Sequence, residues 1–189
     1  MNDSQSLRAA ETVGAAGRGF DAGKRVNGTK RHIAVDTLGL LPAVVVTAAS
    51  VQGRDGAMPL LQRMRRVCLH IALAWADSAY SGWLAGWAAE KLALELVIVK
   101  RTDDMKGFVV LPRRWVVERT PAWITRRRRC VRDYERRADS HEAMVRWATT
   151  PVMARRLARQ CPPLPDGGEH PWRPLEDPTA RGQALELVP

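Results

Sequence analysis

Between His32 and Val99 the hydrophobic pattern alternates between the strand period of two and the helix period near 3.6, and few folds accommodate the resulting order. His32-Ile-Ala-Val-Asp36 and Pro42-Ala-Val-Val-Val-Thr47 are β-branched runs on either side of Thr37-Leu-Gly39, a hairpin signature that predicts two antiparallel strands. From Gly56 to Cys68 the apolar residues Met58, Leu61, Met64 and Val67 recur at every third position while Arg63, Arg65 and Arg66 fall elsewhere, which predicts an amphipathic helix. The apolar run Ile71-Ala-Leu-Ala-Trp-Ala-Asp77 then reads as a buried strand, residues 83 to 92 as a second helix, and Leu94 to Val99 as another short strand. Hairpin, helix, strand, helix, strand describes an α/β protein: a mixed sheet covered by helices.

Beyond this region, residues 112 to 134 read as a long basic helix and 140 to 159 as another, while the Gly-rich, basic stretch from 14 to 31 has no hydrophobic period and reads as an exposed loop with charge available to phosphates. The 189 residues suffice for one domain, placed at residues 1–160; residues 161–189 hold seven prolines with no periodicity and are expected to be a disordered tail. Cys68, Cys130 and Cys161 are far apart and lack metal-site spacing, so neither a disulfide framework nor a structural zinc is indicated, and a reducing cytoplasmic setting is expected. No stretch reaches the roughly 18 apolar residues of a membrane helix, so no membrane partner is expected.

Charge is distributed unevenly. Residues 100 to 160 hold 17 Lys and Arg against 7 Asp and Glu, and the rest of the chain holds 13 of each, so this one segment carries the entire formal charge of +10. Such a field suits a polyanion, nucleic acid first. Two acids stand out against it. Asp77 closes its apolar strand, where open α/β sheets place ligands, although capping the helix that follows is an equally good use of it. Glu118 lies within Arg-Arg-Trp-Val-Val-Glu-Arg, where the plain reading is a solvated helix ion pair; Trp115 and Ala122 on its face suggest instead a stripe that packs. Asp36, before Thr37-Leu38-Gly39, reads as a turn residue. Trp83, Trp87, Trp115 and Trp123 stand at helical spacing and read as core.

Several motifs occur together in one order: Asp3-Ser-Gln-Ser, Gly19-Phe-Asp-Ala-Gly-Lys, Lys30-Arg-His-Ile-Ala-Val-Asp-Thr-Leu-Gly, Trp75-Ala-Asp-Ser-Ala-Tyr, Gly107-Phe-Val-Val-Leu-Pro-Arg-Arg-Trp-Val-Val-Glu-Arg-Thr and Arg132-Asp-Tyr-Glu-Arg. Together they resemble bacterial insertion-sequence DDE transposases, nearest to the insertion-sequence-five group, over roughly residues 1 to 160. The resemblance implies a ribonuclease-H-like core in which Asp3, Asp77 and Glu118 are catalytic and hold two Mg²⁺ or Mn²⁺ ions, with Asp36 only a second choice. It implies double-stranded DNA as partner, both element ends and target, cleaved and then joined by strand transfer, in a nucleoid-associated setting. Lys100, Arg101, Arg113, Arg114 and Arg119 are the candidate DNA contacts near that site, with Arg126, Arg127, Arg128 and Arg129 as a more remote phosphate track.

Two departures from the family pattern bear on activity. Family members carry a helical region before the first acid, whereas here Asp3 follows only two residues, which leaves the first strand truncated and leads to the expectation of a shortened copy or a second-frame product needing a first-frame partner polypeptide, or a homodimer on DNA. Pro121 follows Glu118 by three residues, where a proline costs a helix about 3 kcal/mol or a kink, and Pro151 is expected to interrupt the last helix. These features lead to the expectation of a degenerate or incomplete transposase with a recognisable core, and the alternative is a non-catalytic DNA-binding remnant that inhibits full-length transposase.

Overall fold

The computed structural model describes residues 2–99 and 114–160, with the side chains of Asn2, Asp3, Ala79, Arg114, Trp115, Val116, Glu118 and Gln160 outside the description. Its strands are β1 (Asn2–Arg8), β2 (Gly19–Asp21), β3 (Val26–Ala34), β4 (Ala43–Ala48), β5 (Leu73–Asp77) and β6 (Glu95–Val99). Its helices are α1 (Gly53–Val67), α2 (Trp83–Leu92), α3 (Arg114–Thr125) and α4 (Ala138–Gln160).

β3 organises the sheet. Along one edge it pairs antiparallel with the whole of β1, from Asn2 opposite Ala34 to Arg8 opposite Gly28. Its other edge is shared, because Gly28 also faces Gly19 of β2 while Thr29 to Ala34 face Ala48 to Ala43 of β4. β1 then meets β5 in parallel, and β5 meets β6 in parallel through five residue pairs. The resulting order is β4-β3-β1-β5-β6, an antiparallel half joined to a parallel half, with β2 continuing the outer edge of β3.

Alternation along the strands supplies two cores, one on each face. Ala34, Ala43 and Val45 pack with Leu60, Leu61 and Met64 of α1 and Leu84 and Ala88 of α2. Their neighbours Ile33, Val35 and Val44 turn the other way, toward Val117 and Ile124 of α3 and Val145 of α4. The sheet is therefore the middle of three layers, with the acid-rich strand ends held between two packed helical faces.

The hairpin, both short helices and the strands ending at Asp77 and Val99 form as the pattern predicts, α1 beginning slightly earlier at Gly53. The stretch from 14 to 31 is a correction: β2 and most of β3 lie within it, and Thr29, Lys30 and Arg31 are buried. Each buried cation has partners. Lys30 Nζ lies 3.2 Å from Asp21 Oδ2 and donates to Val51 O at 2.8 Å. Charged residues in these inward positions erase the hydrophobic alternation by which a strand is recognised.

The long basic helix from 112 to 134 is a second correction, since α3 ends at Thr125 and a 3₁₀ turn covers Arg128–Cys130. Tertiary bonds draw the chain away from helix: Asp133 N donates to Arg8 O at 2.9 Å and Ala10 N to Asp133 O at 2.7 Å, docking this segment on the end of β1. Conversely, α3 and α4 run through Pro121 and Pro151. Val117 and Ile124 straddle Pro121 and are both buried in one cluster, so packing offsets the missing backbone bond. In α4 the hydroxyls of Thr149 and Thr150 take up carbonyls of Val145 and Arg146 just before Pro151.

Candidate catalytic and nucleic-acid site

The parallel contact between β1 and β5 brings two acids to one place. Asn2 pairs with Ala76, so the next residue of each strand, Asp3 and Asp77, stand level at the end of neighbouring strands in the middle of the sheet. Asp77 is half-buried, and its carboxylate caps the 3₁₀ turn Ser78–Tyr80, Oδ1 accepting Ser78 N at 2.6 Å and Ser78 Oγ at 3.1 Å. Capping and metal ligation are compatible readings, because each carboxylate oxygen has two lone pairs and can accept a hydrogen bond while ligating a cation.

Glu118 lies on α3 between buried Val117 and exposed Arg119. Val117 shares a buried cluster with Ile33, and Ile33 stands directly opposite Asp3 in the β1–β3 register. The helix bearing the third sequence-predicted acid is thus seated against the strand pair bearing the first. Its packed face is Val117, Thr120 and Ile124; Ala122 is exposed, which corrects the packing stripe expected through that residue. Among the described residues no cluster of three or more His, Cys, Asp or Glu is placed to hold a metal ion; the side chains of Asp3 and Glu118 lie outside those residues.

Asp36 is a turn residue. Its Oδ1 accepts the backbone N–H of Leu38 at 2.9 Å and of Leu40 at 2.7 Å, closing the β3–β4 connection. Arg156 of α4 covers that turn, donating to Leu38 O at 3.1 Å and Gly39 O at 2.5 Å, and lies over the Trp123 ring at 4.0 Å. Arg119 stands at 5.0 Å from the same ring. Trp123 therefore sits among cations, tying α3 to α4 and to the turn. Burial, and then the nearby Arg119, hold the Arg156 pKa below its usual value, with Asp36 acting the other way.

Of the expected DNA contacts, Arg119, Arg126, Arg127, Arg128 and Arg129 are exposed. Lys100, Arg101 and Arg113 lie outside the described residues, as does the side chain of Arg114. Lys30 and Arg31, part of the basic stretch once read as a phosphate-touching loop, are internal. Trp83 is about half exposed, against the core role its spacing suggests, while Trp87 packs on the α1–α2 core.

A buried polar network that the spacing gives no hint of lies behind β1. Arg31 Nε donates to His141 Nε2 at 2.7 Å, His141 Nδ1 lies 2.6 Å from Asp133 Oδ1, and Thr29 Oγ1 donates to Asp133 Oδ2 at 2.9 Å. Arg31 also donates to Cys130 O and to Gln5 Oε1. Burial pulls the Arg31 pKa down to about 10, with Cys130 and Asp133 opposing. Burial alone would raise the Asp133 carboxyl, but hydrogen bonds from His141, Glu135 N and Thr29 leave it below its usual range. Only the Arg132-Asp-Tyr-Glu-Arg resemblance marks Asp133: its partner Thr29 is 104 residues away in sequence, and Arg31, which joins the network through His141, is 110 residues from that histidine.

A family model described as a transposase DDE domain matches residues 1–150. The chain belongs to this DDE transposase family. A protein of Burkholderia cepacia named "Putative transposase for insertion sequence element IS402" is 32% identical to it over 126 residues, which are 63% of this chain and 59% of that protein. The DDE transposase chain therefore spans somewhat over half the length of this curated relative. No solved structure matches it. Among the described residues of this transposase no helix is long and apolar enough to cross a membrane.

Proposed function

We propose that this chain forms the catalytic domain of an insertion-sequence transposase of the insertion-sequence-five group, acting on double-stranded DNA at element ends and targets. The observation that carries the proposal is the Asn2–Ala76 pairing, which sets Asp3 and Asp77 side by side on central strands. The strand order β4-β3-β1-β5-β6, antiparallel on one side of β1 and parallel on the other, supports a ribonuclease-H-like core over residues 1–160. The family match supports assigning the third acid to Glu118.

Asp3, Asp77 and Glu118 would hold two Mg²⁺ or Mn²⁺ ions. Carboxylate oxygens are the hard donors such ions require, and the Asp77 carboxylate, anchored through Oδ1 and half-buried at a strand end, fits that use. When bound, such a pair supplies activation of the attacking oxygen and charge stabilisation of the leaving one in phosphodiester displacement. The chain's own part is to fix the acids on rigid elements and to hold the phosphates with exposed cations such as Arg119. A dimer on DNA, or a first-frame partner polypeptide, would complete the assembly that brings two ends together.

Cleavage and strand transfer on DNA carrying the element's ends tests the reading. Activity should require Mg²⁺ or Mn²⁺ and disappear in Asp77→Ala and Glu118→Ala, with salt-sensitive DNA binding retained by both. If the unaltered chain binds DNA but never cuts it with either metal, the reading that remains is a DNA-binding remnant able to inhibit full-length transposase.

A further inference from the structure

Because α3 stops at Thr125, the four arginines that follow do something a helix would forbid. Successive residues of an α-helix point about 100° apart, so four in a row would spread around the axis. In the turn actually formed, Arg126 N reaches Ala122 O, Arg127 N reaches Ile124 O and Cys130 N reaches Arg127 O, and Arg126, Arg127, Arg128 and Arg129 all line one groove. Its opposite wall is α4, which contributes Met144, Trp147 and Pro151 at helical spacing. The groove measures about 620 Å³, within the range of ligand clefts.

Its two walls differ in chemistry. The arginine wall is cationic: among the described residues Arg129 pairs with Glu135 at 3.0 Å, whereas Arg126, Arg127 and Arg128 form no ion pair. Among the described residues no acid lines the groove. The α4 wall is apolar and carries an indole that is 74% exposed, the most exposed large hydrophobic residue described. An exposed Trp across from three uncommitted guanidinium groups suits a ligand with a flat apolar face and a regularly charged backbone. Duplex DNA offers the charges but keeps its base faces stacked inside; a single strand offers both.

We propose that this groove binds an unpaired stretch of DNA, one base stacking on Trp147 while the Arg126–Arg128 guanidinium groups hold the flanking phosphates. The assignment rests on the reading of the chain as a DNA-acting protein and specifies which form of DNA this surface takes. It also separates the arginine run from the carboxylate site, since the groove is built by α4 and the turn after α3 rather than by the ends of β1 and β5.

The test is fluorescence anisotropy of a short labelled oligonucleotide and of the same sequence as a duplex, titrated with the full chain in chelator so that binding is read without cleavage. Trp147 is solvent-exposed, so Trp147→Ala should fold, which circular dichroism checks. Trp147→Ala should weaken the single strand roughly tenfold and the duplex less than about twofold, and Trp147→Phe should keep most single-strand affinity. A triple Arg126→Gln, Arg127→Gln, Arg128→Gln variant should weaken the single strand further and flatten its salt dependence. Unchanged single-strand binding in Trp147→Ala, or equal loss on both forms, overturns the groove proposal while leaving the DNA reading intact. If the unaltered chain binds neither form, the DNA reading itself falls and this assignment with it.

Discussion

His141 Nδ1 lies 2.6 Å from Asp133 Oδ1, inside a network in which Arg31 Nε donates to the other ring nitrogen. An acceptor at Nε2 and a donor at Nδ1 define a neutral imidazole with its proton on Nδ1, set by its two neighbours. The ring thus relays between a buried guanidinium and a buried carboxylate that do not meet directly. Removing it takes one hydrogen bond from each buried charge, the others remaining, so His141→Ala should destabilise the chain by about 1 to 3 kcal/mol. Urea unfolding measures this. A loss below about 1 kcal/mol would mean that water replaces the ring at no cost and that the network does not order the segment docked on β1.

Acid should act on the fold in two stages, beginning with His32. This side chain is fully buried, with Nε2 3.0 Å from Thr47 Oγ1, and burial, then the charges of Lys30 and Lys24, hold its pKa down to about 4. The unfolded chain therefore takes up the His32 proton first. Its contribution is complete above the ordinary His value near 6.5 and is lost as pH falls from there toward about 4, up to roughly 3 kcal/mol in all. Asp21, held near 2 chiefly by the Ser6 hydroxyl, and Asp133, also depressed, add losses only below about pH 4. Urea midpoints from pH 8 to 3 should show both phases, with His32→Gln removing the first; a midpoint flat between pH 6.5 and 4.5 in the unaltered chain contradicts the assignment.

How much of this was legible in the residues depended on whether charge and burial agreed. β4, β5, β6 and α2 bury apolar side chains at their own periods, so pattern alone located them. The first part of β3 escaped because Lys30 and Arg31 occupy inward positions made tolerable by Asp21, the Val51 and Cys130 carbonyls, Gln5 and His141, and none of these partners is apparent from spacing. The end of α3 escaped for a similar reason: the run to 134 has helical charge, and contacts to β1 decide otherwise. Among the candidate site residues, Asp77 announced itself by closing an apolar strand, whereas Asp3 was found by family resemblance and only the pairing with β5 explains its place. Trp147, read from sequence as one more residue of a basic helix, carries no signal of its own exposure.

Glu142 protects an open sheet edge. Among the described residues β4 pairs only with β3, and on its other side Glu142 Oε1 accepts Val46 N at 3.1 Å while Arg63 donates both to Val44 O at 2.7 Å and to the Glu142 carboxylate. One ion pair between α1 and α4 thus satisfies a donor and an acceptor that another strand would otherwise seek. Glu142→Ala should cost about 1 to 3 kcal/mol for the buried N–H left alone and should increase self-association. Urea unfolding and light scattering check both, and unchanged scattering with unchanged stability would show that the edge is shielded by other means.

At the end of α2 the structure stores a small, removable strain. Ala93 adopts φ +47°, a left-handed position at a helix C-terminus that normally takes glycine, and Leu94 N reaches back to Ala88 O at 3.2 Å. A Cβ in that conformation costs on the order of 1 kcal/mol, so Ala93→Gly should raise the thermal midpoint with no change elsewhere. A lowered midpoint would mean that the entropy added to the unfolded chain outweighs the relief.

Asp77 has an observed use as a cap and a proposed one as a metal ligand, and substitution can separate them. As a cap its side chain needs only an acceptor oxygen, which Asn supplies about as well as Asp; as a metal ligand it needs the negative charge, which Asn lacks. Asp77→Asn should therefore keep stability within about 0.5 kcal/mol of the unaltered chain and still lose divalent-metal-dependent DNA cleavage, whereas Asp77→Ala should lose cleavage and about 0.5 to 2 kcal/mol of stability together. Unfolding curves and cleavage assays on the pair give the answer. Full cleavage by Asp77→Asn would remove this residue from the metal site and reduce it to a cap, and loss of folding in Asp77→Asn would show that its charge holds the strand ends together.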